Sequence, residues 1–167
     1  NGSSGSVDWT VGGFYLDQET TYEARVDLNY ASIDFIHGPD PTPAETWAAF
    51  AHANWHVTDR FNLIGGLRYS DEYKSYTHHR RNPDGSPIGS QGPTFPGAPD
   101  LINIRLTGVD GLTAVFEDER VDWRVAADFS ITDEMMVYGS ASTGYKGGGV
   151  NPRPFFPQQL KTFDSET

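Results

Sequence analysis

Five histidines and 23 carboxylates give this chain of 167 residues the means for acid–base or metal chemistry, but their spacing supplies neither. His52 and His56 stand four apart, as a zinc pair on a helix would. The run His52-Ala-Asn-Trp-His56 nevertheless lacks the glutamate that follows the first histidine in the metalloprotease pattern. On a strand the two rings lie about 13 Å apart, too far to share an ion. Ser140-Ala-Ser142-Thr-Gly144 lacks the leading glycine of a nucleophile elbow. Gly144-Tyr-Lys-Gly-Gly-Gly149 does not match a phosphate-binding loop, so the glycine run reads as a connection needing positive φ. No carboxylate pair is set apart by its spacing, and without cysteine a thiolate site is impossible. The expectation is a protein that is not an enzyme and carries neither cofactor nor metal.

One cluster remains. His78-His79-Arg80-Arg81 is the only basic run in a chain of formal charge −11. It suits an anionic small molecule or an anionic surface, or simply water. Neighbours on a strand point to opposite sides, so four consecutive residues do not converge as a chelate. The acidic remainder, with a pI near 4.6, repels phosphate backbones and argues against nucleic acid.

The elements that would position these residues are legible as period-two alternation. Five segments show it: Val7 to Leu16, Ala44 to Val57, Phe61 to Lys74, Val121 to Ile131, and Met135 to Lys146. In the second, Trp47, Ala49, Ala51, Ala53, Trp55 and Val57 share one side. In the fourth, Val121, Trp123, Val125, Ala127, Phe129 and Ile131 do so. The polar sides carry Arg68, Glu72 and Lys74, then Asp122, Arg124 and Asp128, then Lys146. A helix is the alternative for the alanine-rich second segment, where Trp47, Phe50, Ala51 and Trp55 would share a face. Eighteen glycines, 11 prolines and 13% aromatics suit an all-β chain with many turns.

The connections are asymmetric. Thr58-Asp59-Arg60 and Thr132-Asp133-Glu134 are tight turns; Gln18 to Pro43, Tyr76 to Asp118 and the stretch from Gly147 onward are long. Short turns on one rim and long loops on the other are the pattern of an outer-membrane barrel. Within the long loops, Tyr22 to Phe35 and Leu101 to Thr107 also alternate and read as strand extensions or loop hairpins. Trp9, Trp55, Phe61 and Phe129 fall near the short-turn rim, and Tyr15, Trp47, Tyr69, Tyr73 and Tyr145 near the other, as two headgroup girdles would. Each segment approaches the 9–11 residues that a tilted strand needs to cross a bilayer. The mean hydropathy of −0.53 resembles a soluble protein only because alternation averages the two faces. Five strands cannot close a membrane barrel, so a fragment is expected, with Phe163 to Thr167 leading toward another strand. Asn1 to Ser6 reads equally as a native turn or a linker, and not as a signal peptide.

Particular stretches carry a family resemblance. Trp9-Thr-Val-Gly-Gly-Phe-Tyr15 is similar to a mid-barrel strand of TonB-dependent receptors. Phe61-Asn-Leu-Ile-Gly-Gly-Leu-Arg-Tyr69, after Val57-Thr-Asp-Arg60, resembles their turn-and-strand hairpin. Met136 to Asn151 resembles the strand that leads into a Gly-Gly-x-Asn loop, and Phe163-Asp-Ser-Glu-Thr167 an acidic lead-in to the next strand. The resemblance implies that residues 1–167 are part of a single barrel domain of the 22-stranded type, without the plug that fills it. It also implies the Gram-negative outer membrane, uptake of a scarce ligand such as a ferric siderophore, and coupling to TonB through the absent plug. Arg68, Glu72, Asp122, Arg124, Asp128 and Lys146 would then face the lumen. Outer-membrane lipid and lipopolysaccharide would be partners, and His78, His79, Arg80 and Arg81 would stand on a ligand-binding outer loop. The rival readings are another outer-membrane barrel, such as a porin or a barrel esterase, and a soluble carbohydrate-binding β-sandwich whose apolar faces pack on each other.

Overall fold

The computed structural model describes residues 1–28, 33–87 and 108–166. They form β1 (Gly2–Ser4), β2 (Val7–Gln18), β3 (Thr21–Leu28), β4 (Ile33–Pro41), β5 (Ala44–Thr58), β6 (Phe61–Thr77), β7 (Arg80–Arg81), β8 (Thr113–Thr132), β9 (Met135–Ser142), β10 (Gly149–Val150) and β11 (Thr162–Phe163), with one 3-10 turn at Pro157–Gln159. Six strands make an antiparallel sheet in the order β1-β2-β5-β6-β8-β9. The alanine-rich segment is strand β5 and not a helix; it pairs along its length with β2 on one side and β6 on the other.

Two hairpins share one local device. Asp59–Arg60 joins β5 to β6, and Asp133–Glu134 joins β8 to β9. In each, the threonine that ends the first strand accepts a hydrogen bond from the backbone two residues on: Arg60 N–H to Thr58 Oγ1 at 3.2 Å, and Glu134 N–H to Thr132 Oγ1 at 3.3 Å. Each register also slips by one residue just before the turn. Gly5, at φ 61°, turns β1 into β2 at the same rim. The long connections all leave from the opposite rim.

Cross-strand register lines up the alternating faces. Trp9 pairs with Ala53, Ala53 with Gly65, Gly65 with Val125, and Val125 with Ala141, so one row of small and apolar residues runs across five strands. This face has no second layer among the described residues: Trp47 is 43% exposed, Trp55 47%, Leu67 60%, Trp123 43% and Val125 49%. A sandwich would have covered them. The apolar band ends at the row Trp47, Asp71 and Glu119, beyond which Glu45, Tyr73 and Glu117 occupy the same face. From Val57 to Trp47 the band covers about 33 Å of strand, or roughly 25 Å of height at a tilt of about 40°, which matches a hydrocarbon core. Trp47 and Tyr69 rings meet at its upper border, centroids 5.1 Å apart.

β6 and β8 outrun this band. They remain paired up to Thr77 and Thr113, which turns much of the expected third connection into strand. The alternation in Tyr22 to Phe35 belongs to the hairpin β3–β4, joined by β7 into a three-stranded sheet. Leu101 to Thr107 lies outside the described residues. The expected fifth segment is shorter than its alternation suggests, because β9 stops at Ser142. Thr143 then turns to the polar face, donating to Asp122 at 2.9 Å.

A cation placed on the open apolar face should be far costlier than one removed from the polar face. Leu67→Arg is expected to lose about 2–4 kcal/mol of stability in lipid vesicles, and Arg68→Leu about 1 kcal/mol or less. Urea unfolding of the full-length receptor measures both; equal losses would contradict the assignment of faces.

Candidate functional site

Among the described residues, the largest fully buried side chains sit in the long connections rather than in the main sheet: Arg80, Phe35, His78, Val109, Asp40 and Pro154. They come from four separate stretches and form one cap over the rim. β4 brings Phe35, His37 and Asp40. The top of β6 and the residues after it bring Tyr76, His78 and Arg80, and the return toward β8 brings Val109 and Asp110. The strap between β10 and β11 brings Pro154 and Phe155.

Asp40 is the node. Its Oδ1 accepts the His79 backbone N–H at 2.5 Å, and its Oδ2 accepts the Tyr76 hydroxyl at 3.1 Å and Arg80 Nη1 at 3.4 Å. Arg80 Nη1 also donates to the His79 carbonyl at 2.7 Å, Nη2 reaches the Pro154 carbonyl at 3.5 Å, and the Arg80 backbone N–H donates to Asp110 Oδ1 at 2.8 Å. Burial alone would raise the Asp40 carboxyl. The neighbouring His37 ring, the His79 N–H and the Arg80 charge outweigh it and hold the group below its usual value. His37 Nδ1 lies 3.9 Å from Asp40, so it acts across space and not through a hydrogen bond. Burial draws Arg80 below its usual value against the pull of Asp40.

Backbone geometry lets the pieces close. Gly38 adopts φ 100°, and a Cβ there would meet the Tyr22 carbonyl at 2.5 Å; its N–H instead donates to the His79 carbonyl at 3.0 Å. Gly148 lies so near the Phe116 ring and the Phe163 carbonyl that any side chain would displace the strap. Arg153 donates to the Tyr22 hydroxyl at 3.2 Å, and the Phe155 and Phe35 rings meet edge-on at 6.3 Å.

The expected ligand cluster is therefore split. His78 and Arg80 are buried in the cap and hold it together, which corrects their placement on an open loop surface. His79 is half-buried and Arg81 exposed. Burial alternates along 78–81, and in β7 the adjacent Arg80 and Arg81 point to opposite sides, as strand residues do.

Below the cap, Arg68, Glu72, Asp122, Arg124 and Asp128 share the polar face of the main sheet, with Arg68 opposite Asp122. Glu72 pairs with Lys74 at 3.0 Å and accepts the Tyr145 hydroxyl at 2.9 Å. Asp122 is gripped by Arg120, and Asp128 accepts from Asn62 at 2.7 Å. Lys146 departs from this set, because it follows the end of β9 and pairs with Glu166 at 3.2 Å instead. Tyr145 is a second correction. The residue expected in the outer girdle lies on the polar face, under the Arg120 guanidinium at 4.0 Å. His56 bridges Asn62 and Asp8, at 2.6 and 2.9 Å, and does not face His52 as a metal partner. No group of three or more metal-binding side chains converges among the described residues.

A partial antiparallel sheet with an open apolar band of bilayer height, a polar opposite face and long loops on one rim has the form of a piece of membrane-barrel wall. The family model described as "TonB dependent receptor-like, beta-barrel" matches residues 1–166, and the chain belongs to that family of receptors. Among curated relatives it is 30% identical over 165 residues to a pesticin receptor of Yersinia enterocolitica and 27% identical to that of Yersinia pestis. Each match covers 99% of this chain and 21% of the relative, so the chain spans about a fifth of their length. The crystal structure of the ferric yersiniabactin uptake receptor FyuA from Yersinia pestis superposes with a TM-score of 0.71 at 25% identity. That match covers 99% of this chain and 22% of FyuA.

Removing the Asp40 charge should open the cap while leaving the main sheet intact. Asp40→Asn strands a buried guanidinium and is expected to cost the cap about 3 kcal/mol. Pairing it with Arg80→Met should recover much of that loss. Protease cleavage of the loops in the full-length receptor reads both variants.

Proposed function

We propose that this chain forms part of the wall and the outer loops of an outer-membrane receptor that takes up a ferric siderophore. One observation carries the reading: all three long connections leave the same rim and join into one cap, on a sheet whose other face is an exposed apolar band of bilayer height. The likeness to FyuA, a ferric yersiniabactin uptake receptor, supports an iron-bearing ligand.

In this reading the polar face with Arg68, Glu72, Asp122, Arg124 and Asp128 lines the passage, where charges remain hydrated. The cap presents its outward groups to the ligand. Arg81 is the exposed member of the basic cluster, and it offers a planar fork that suits an anionic complex; His79 is half-buried beside Asp110. His78 and Arg80 act by holding the loops in place. Lipid and lipopolysaccharide surround the apolar band and its acidic upper border. TonB drives uptake through a plug domain carried elsewhere in the full-length receptor.

A deletion strain complemented with the full-length receptor should grow on ferric yersiniabactin as sole iron source, and an empty vector should not. Arg81→Ala should weaken binding of that complex about tenfold, the worth of one charge-assisted hydrogen bond, with unchanged protease protection of the cap. Unchanged affinity would remove Arg81 from the contact surface. Failure to grow on any ferric siderophore would remove the uptake reading.

A further inference from the structure

The cap contains a group that the ligand-binding reading does not use. His78 is completely buried, and among the described residues neither ring nitrogen has a hydrogen-bond partner. Its ring stacks on Tyr76 with centroids 4.4 Å apart. Its backbone is tied on both sides, donating to the Leu112 carbonyl at 2.9 Å and accepting from Gly111 N–H at 2.7 Å. A neutral imidazole leaves one N–H and one acceptor nitrogen unmatched in this setting but carries no charge. A protonated one would carry two N–H donors with no acceptor, and a charge beside the Arg80 guanidinium.

We propose that the cap is an acid-released latch: neutral His78 lets the three long connections close around the Asp40–Arg80 pair, and protonation of His78 frees them together. The surroundings of His78 set the sign. Arg80 from β7, His37 from β4 and His79 beside it disfavour a further positive charge; Asp40 from β4 favours it. Tyr76 from β6 contributes a neutral ring, and Asp110 is engaged by the Arg80 backbone and lies 3.8 Å from His79 Nδ1. From the strap, the Pro154 carbonyl is taken by Arg80 Nη2. Burial is the largest influence, the Arg80 charge the next, and together they push His78 down to about 4 from 6.5.

The closed cap thus holds the His78 proton less well than the released loop does. The contribution of neutral His78 to the closed cap is present in full above pH 6.5 and is lost as the pH falls toward about 4. One proton is taken up on opening, so the opening equilibrium should rise roughly tenfold per pH unit within that window. Shared contacts make the release common to the pieces. Asp40 belongs to the β3–β4 hairpin, Arg80 and Asp110 to the second connection, and Pro154 to the strap.

Amide hydrogen exchange of the full-length receptor in detergent, corrected for the intrinsic pH dependence of exchange, tests this between pH 7.5 and 4. Residues 33–41, 78–81, 108–112 and 149–163 should lose protection together, while β5, β6 and β8 within the apolar band keep theirs. His78→Phe keeps a ring on Tyr76 and cannot take up a proton. It should leave the cap closed at pH 7.5 and abolish the acid step. No acid step in the unmodified receptor, or separate midpoints for the three connections, overturns the latch without any variant being needed. A step that survives in His78→Phe and disappears in His37→Phe overturns the assignment to His78. Exchange reads the cap alone, so a receptor that fails to import iron can still show the latch, and one that imports iron can still lack it.

Discussion

A chain that crosses hydrocarbon must pair every backbone N–H and C=O with another strand, because lipid offers no substitute partner. Long antiparallel ladders follow from that requirement. So does the strict alternation of side chains, since each strand sends one set toward lipid and the other toward water. No described residue covers Trp47, Trp55, Leu67, Trp123 and Val125, as suits a barrel wall whose apolar face meets acyl chains. The packed core expected of a soluble domain is missing from the sheet for the same reason, and the tight packing moves into the cap.

The cap meets the opposite problem. Loops above the rim stand in water, where an extended hairpin of hydrated groups has little cause to hold one shape. Here Phe35, Val109 and Pro154 supply a small apolar centre, and Asp40 and Arg80 supply a charged one. A buried ion pair seldom adds much stability, but losing one partner is expensive. Such a pair specifies which loops meet more than it strengthens their meeting. Burial of Asp40 and Arg80 therefore places the β3–β4 hairpin, the second connection and the strap in one arrangement, with Arg81 left outside it.

Local pattern carried the wall of this protein well. Side-chain period two, turns built on Thr-Asp, and rings at the segment ends were enough to place five strands, their shared faces and the rim of the long loops, because a strand's faces depend only on residue parity. Parity fails where the strand stops. Tyr145 and Lys146 continue the alternation on paper, yet β9 ends at Ser142, and a hydrogen bond from Thr143 to Asp122 swings the chain inward. The six-residue apolar row of Ala44 to Val57 and the turn after it favour a strand over a helix, and the ladders to β2 and β6 bear that out.

The sequence by itself thus determined the strands, the two chemistries of their faces and the family resemblance, all of which are written in neighbouring residues. Tertiary structure alone decided the site. Asp40, Tyr76, His78, Arg80 and Pro154 meet across separations of up to 114 positions, and nothing local in Gly38-Pro39-Asp40-Pro41 announces a counter-ion for a distant arginine. Burial is a property of what packs overhead, so His78 and Arg80 looked like surface groups until the strap and the hairpin closed over them.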